Sequence, residues 1–239
     1  MEREFRPTVA WFLSPSGEMD EDEAEAAREE SDRWARHLIE EKPLLMSAIL
    51  LVLLFGWPLC AVFGAFDVYA GDIASRQLRY QLLRADRASI YFGRLVGVMV
   101  TFTVVLVILG TTIATYIGLK LPIYPVVDLV AWTAYGILAL LVATLPFVAL
   151  CAWVSASVSS SFVSLTLASI LMGGVPLFAL AARAMWAPAG YLNMALPWGF
   201  QIRLLHPDAS QVLLAVSGCL LQAGLFTWFG YRKFMTRDL

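Results

Sequence analysis

Between Leu129 and Ala182 the chain reads LVAWTAYGILALLVATLPFVALCAWVSASVSSSFVSLTLASILMGGVPLFALAA, 54 positions without a charged residue. A bilayer core about 30 Å thick takes roughly 20 apolar helical residues at 1.5 Å each. The run is therefore too long for one crossing, and it is too apolar for a water-facing domain. Its middle, Ser155-Ala156-Ser157-Val158-Ser159-Ser160-Ser161, is a polar turn where two helices meet. Working outward, three more uncharged runs pass the same ruler: Pro43–Phe66 with 24 residues, Leu95–Leu119 with 25 and Ala209–Tyr231 with 23. The sequence thus predicts an all-α polytopic membrane protein with five spans, at about 43–67, 94–119, 127–154, 160–183 and 209–232.

Composition agrees. The 239 residues are 59% hydrophobic and 15% charged, with a mean hydropathy of +0.71, which excludes an ordinary soluble globule. Of 19 acidic residues, 13 fall between Glu2 and Glu41, and the six that follow are all aspartates. Two materials are therefore joined: an acidic tail, residues 1–42, and a net-basic membrane domain, residues 43–239. Neither carries the basic patch that nucleic acid requires, so the expected solvent partner is the lipid bilayer. Within the tail, Asp20–Glu41 reads as a solvated helix ending before Pro43, with Glu29/Arg33 and Asp32/Arg36 at i,i+4. It is not a signal peptide, because the first long apolar run follows an acidic segment. The stretch Val9–Leu13 is apolar but too short to cross.

One further uncharged piece, Ala184–Ile202, contains Pro188, Gly190, Asn193, Pro197 and Gly199, which interrupt any continuous helix. Its Trp186, Tyr191 and Trp198 suit the membrane interface. Residues 184–206 read as a re-entrant or interfacial helical hairpin before the last span.

The chemistry is sparse. Cys60, Cys151 and Cys219 lie in apolar spans with no metal-ligand spacing, and read as buried free thiols. His37 and His206 have no nucleophile or metal partner nearby in sequence and read as structural or surface residues. No catalytic, cofactor-binding or metal-ligating set emerges, and no GxxxxGK[ST] occurs to cradle a nucleoside triphosphate. No span carries a central charge: Asp67, Asp128 and Arg183 lie at ends. That argues against an ion-driven carrier, which binds its ion at mid-membrane, and equally against an intramembrane enzyme.

The loop at 68–93 is the most informative segment. Ile73, Leu78, Leu82 and Leu83 form a broken apolar stripe, while Arg76, Arg79, Arg84 and Arg87 supply a basic surface, so the loop predicts a short amphipathic helix along the membrane face. The plainer reading is a positive-inside anchor. Counting basic residues balances eight on the side of this loop and the C-terminus against nine opposite. Setting aside the tail leaves eight against three and places the loop in the cytoplasm.

This loop resembles the permease subunits of type-2 ABC exporters. Gly71-Asp72 occupies that family's Gly-Glu position, Leu78 the leucine after its Gly-Thr step, Leu82-Leu83 its leucine pair, Arg87 its turn arginine and Gly93-Arg94 its Gly-Lys. The end, Phe234-Met235-Thr236-Arg237-Asp238-Leu239, is similar to the family's Phe-x-x-Arg-Asp-Leu finish. The departures are Ser75-Arg76-Gln77 where the family has a Gly-Gly-Thr type of step, a missing proline before Arg87, and Arg94 in place of lysine.

The resemblance covers Phe66–Leu239. It implies a multi-pass protein of the cell (inner, cytoplasmic) membrane, a permease without its own ATPase site. Its expected partners are a separate cytoplasmic ABC ATPase, which uses the ATP, and a second permease subunit in a homo- or heterodimer. It also implies that the loop is a cytoplasmic coupling helix, with Asp72, Arg76, Leu78, Leu82, Leu83, Arg84, Arg87, Gly93 and Arg94 as its site residues. Family members have six spans, so the resemblance implies a lost first span or a missed upstream start, and an extracytoplasmic tail. The rival readings are a non-transporting membrane scaffold that docks an ATPase, then a channel or secondary carrier.

Overall fold

A computed structural model describes residues 33–121, 124–175, 177–178 and 197–237. All regular structure among them is helical. Four helices are long and apolar enough to cross a membrane: α1 (Leu44–Ala65), α4 (Arg87–Lys120), α5 (Val126–Ser157) and α7 (Ala209–Met235). Between them lie the short helices α2 (Ala70–Ala74) and α3 (Gln77–Gln81), and α6 (Ser161–Ser169), which continues as a π-helical turn Ile170–Gly174. Of the expected span at 160–183, residues 160–175 and 177–178 are described. Most of the tail, and of the expected re-entrant segment with Trp186, Pro188, Gly190, Tyr191 and Asn193, lies outside the described residues.

The serine-rich turn breaks the 54-residue run as its sequence predicts: α5 ends at Ser157 and α6 begins at Ser161. The loop boundary differs. Asp86 accepts from the Ser89 amide at 3.0 Å and from its hydroxyl at 2.7 Å, and this N-cap starts α4 at Arg87, seven residues before the expected 94. The uncharged run began later only because Arg87 and Arg94 lie inside the first two turns.

Helix α5 is the axis. Its most apolar window is 67% buried, against 17% for α4 and α7, and it packs against α1, α4, α6 and α7. The large apolar residues left outward on α4 and α7, including Val100, Ile108, Leu213 and Leu221, suit lipid. Close approach is secured by glycine at two crossings. A side chain at Gly136 would enter the Leu50 methyls, and one at Gly230 would stand 2.5 Å from the Tyr91 hydroxyl and 3.0 Å from the Trp153 backbone.

The end of the tail is solvated on one face only, with Arg33, Arg36 and Glu41 exposed. Residues 33–36 are α-helical and run into a π turn His37–Glu41. Trp34 and Leu38 are buried in the main core, and the Trp34 indole donates to the Leu205 carbonyl at 2.8 Å. The acidic bias of the tail masked these two anchors. Tyr135 donates to the neighbouring Leu204 carbonyl at 2.6 Å, and Trp198 donates to Met172 at 2.8 Å. Trp198 thus packs edge-on to Phe147 inside the protein. Cys151 and Cys219 are buried free thiols as expected, whereas Cys60 faces outward from α1.

Candidate functional site

The loop between α1 and α4 is folded from both sides. At its start, the buried Ser155 hydroxyl of α5 accepts from the Tyr69 and Ala70 amides, each at 2.9 Å, satisfying donors that open α2. Ser164 donates to the Phe66 carbonyl at 2.5 Å and Ser161 to the Asp67 carboxylate at 2.6 Å. The serines that break the long run also hold the loop.

From the other side, Arg94 of α4 reaches back with two nitrogens. Nη1 donates to the Val68 carbonyl at 2.7 Å, while Nη2 donates to Gln81 Oε1 at 2.8 Å and pairs with the Asp72 carboxylate. One planar guanidinium therefore ties the end of α1, α2 and α3 to α4. Beneath them, Tyr69 stacks on Tyr91 at 5.1 Å with Phe234 against both, and Leu78 is 1% exposed in the same cluster. The Tyr69 hydroxyl donates to the Tyr91 carbonyl at 2.7 Å.

Two segments far apart in sequence meet here. Arg87 Nη1 donates to the Met235 and Arg237 carbonyls, both at 2.9 Å, and Arg237 Nη1 donates to Ala156 and Val158 at 2.8 and 3.0 Å. The unpaired carbonyls at the ends of α7 and α5 thus gain charged donors, favourable also for the helix dipole. Asp238 and Leu239 lie outside the described residues.

The expected site residues divide into two sets. Asp72, Leu78, Arg87 and Arg94 face the fold, with Leu82 partly buried. Arg76, Leu83 and Arg84 face out, as does Gly93; Leu83 is 83% exposed and neighbouring Tyr80 74%. The single amphipathic helix expected here is two short ones, because Arg76 takes a left-handed conformation, φ 58° and ψ 14°, between them. That is the step where the resembling family carries glycine, which adopts this conformation without strain. Arg79 lies in α3.

Sequence reasoning missed Tyr69 and Tyr91, and it named Ser155 only as part of the serine turn and Phe234 only as part of the chain-end motif. The Ser155 signal was present in the serine run, but the aromatics are separated by up to 165 positions and nothing local joins them. Among the described residues no group of three His, Cys, Asp or Glu side chains is placed to hold a metal. Compared with models of known families and with curated proteins, the chain matches none.

Proposed function

We propose that this membrane protein is the permease subunit of an ATP-driven exporter, working with a separate cytoplasmic ABC ATPase and a second permease subunit. One observation carries the reading. The loop is a pre-formed platform whose inward residues lock it to three long helices, while Arg76, Tyr80, Leu83 and Arg84 project from it. A loop serving only as a charge anchor needs neither the Arg94 fork nor the aromatic cluster beneath. The meeting of Arg87 with the chain end adds support, since those two segments carry the family resemblance independently.

In this reading the exposed arginines meet carboxylates of the ATPase and Leu83 enters an apolar groove on it. ATPase closure then displaces the platform as a rigid body. Because Arg94 and Arg87 stand in the first two turns of α4, and Ser155 and Arg237 fix the loop and chain end to α5, the push reaches the spans without a flexible link.

The test is co-purification of the full chain with a co-expressed ABC ATPase from the same genome, encoded in an adjacent reading frame if one is found there. Leu83→Asp with Arg84→Glu leaves insertion and melting unchanged, because neither side chain is buried, and abolishes co-purification or uncouples hydrolysis from export. Equal recovery of the ATPase with wild type and variant, or no ATPase bound to wild type, refutes the proposal. These positions discriminate better than Arg87, whose replacement also uncaps α7.

A further inference from the structure

The last turns of α7 carry a surface that neither the clamped loop nor the proposed ATPase contact uses. Leu221, Leu225, Trp228 and Arg232 recur at i, i+4, i+7 and i+11, all exposed, so one stripe of the helix runs apolar, then aromatic, then cationic. From Leu221 to Trp228 it rises about 10 Å at 1.5 Å per residue, an apolar track on the outward side of the bundle. The neighbouring row repeats the ending: Phe229 lies one turn before Lys233, and both are exposed. Tryptophan closing an apolar run marks the level of the membrane interface, so the two cations stand among lipid headgroups.

What they select there follows from what they lack in the fold. The Arg232 guanidinium carbon lies 5.9 Å over the Trp228 ring. That cation–π contact holds the group on the stripe and leaves its N–H donors without an acceptor among the described residues; Lys233 has no partner among them either. The carboxylates described at this end are engaged elsewhere, Asp72 with Arg94, Asp86 with Ser89 and Asp67 with Ser161. Two adjacent cations with no anion beside them favour an anion, and a planar guanidinium forks onto two oxygens of one phosphate. A zwitterionic headgroup instead brings a further cation to this place and finds no carboxylate to receive it.

We infer that the end of α7 binds an anionic phospholipid, its phosphate on Arg232 and Lys233 and an acyl chain along Leu225 and Leu221. The inference does not depend on the exporter reading, because Leu83 and Arg84, which carry that reading, are not part of this surface.

The probe is dioleoyl phosphatidylglycerol, titrated into the full chain in tetraethylene glycol monooctyl ether, with bound lipids counted by native mass spectrometry and dioleoyl phosphatidylcholine as the zwitterionic comparator. Each cation near an anionic lipid surface contributes about fivefold, so the first phosphatidylglycerol should bind at least tenfold tighter than the first phosphatidylcholine. Arg232→Gln with Lys233→Gln reduces that preference to less than threefold at an unchanged melting temperature, because neither side chain is buried. Trp228→Leu keeps the track apolar but removes the ring beneath the guanidinium, and weakens phosphatidylglycerol threefold or more. Arg76→Gln, which removes an exposed arginine of the same end outside the stripe, leaves binding within twofold. Glycerophosphoglycerol, the headgroup without its chains, does not displace the lipid at a hundredfold excess. A preference below tenfold, its survival in the double glutamine variant, undiminished binding in Trp228→Leu, an equal loss in Arg76→Gln, or displacement by the soluble headgroup overturns the inference.

Discussion

Replacing Arg94 by lysine keeps the charge and supplies the residue of the resembling family, yet it should loosen the loop. The guanidinium makes three contacts from two nitrogens, to Val68, Gln81 and Asp72. A single ammonium on a shorter stem cannot span them. Fully buried bonds to charged groups contribute about 1.5–3 kcal/mol each and exposed ion pairs about 0.2–1 kcal/mol. With the Arg94 and Asp72 side chains 24% and 25% exposed, about 1 kcal/mol per contact is the appropriate middle value. Lysine keeps one contact and loses about 2 kcal/mol, which speeds local opening about 30-fold; leucine loses about 3 kcal/mol, or about 150-fold. Hydrogen exchange of residues 70–81 in the full chain, in nanodiscs, reads this directly, with residues 135–150 of α5 as the unaffected reference. A cycle with Asp72→Asn should give a coupling of about 1 kcal/mol. Less than threefold acceleration in Arg94→Lys, or additive effects in the cycle, refutes the clamp.

Other outcomes follow from single positions. Arg76→Gly relieves the left-handed conformation and should stabilise the loop by about 1 kcal/mol, while Arg76→Ala does not; exchange of residues 70–81 separates the two. Gly230→Val forces a side chain against Tyr91 and Trp153, costing about 1–3 kcal/mol by overpacking, seen as a lower melting temperature in detergent. The Ser89 hydroxyl and amide hold the Asp86 carboxyl below its ordinary pKa. Because the folded value is depressed, that stabilisation is complete above the unfolded value and fades as pH falls through the folded one. Protection factors at the start of α4, corrected for the intrinsic exchange rate at each pH, should therefore fall in acid for wild type and stay flat for Asp86→Asn, which caps without titrating.

The long helices were legible because a bilayer imposes a length and forbids charge, and both can be counted along a sequence. Their ends were less so. Charge gaps located α4 at Leu95, but a helix begins where its first amides are satisfied, and Asp86 with Ser89 accomplishes that eight residues earlier. The tail misled for the opposite reason: its many carboxylates predict a solvated helix, whereas Trp34 and Leu38 near its end are buried in the core. Within the loop, residue type gave the list but not the direction. Leu78 and Leu83 are the same amino acid five positions apart, one enclosed by Tyr69 and Phe234 and the other bare. Leu78 lies within α3, whereas Leu83 lies two residues past its end, in the turn that follows.

The arginines on this side also show why counting cations differs from knowing their use. A topology rule treats Arg87, Arg94 and Arg237 as three equal votes. In the folded chain they are links in a circuit. Arg87 of α4 caps the end of α7, and Arg237 beyond α7 caps the end of α5. Ser155 of α5 then receives the amides that open α2, and Arg94 returns from the loop to α4. Each link satisfies backbone groups that a helix end leaves unpaired, so none is dispensable on hydrogen-bonding grounds alone. A closed circuit also resists opening more than its separate links, because breaking one leaves the joined ends held by the others. Arg76 and Arg84 stand outside it. They are exposed, and they are the cations whose placement the fold does not require.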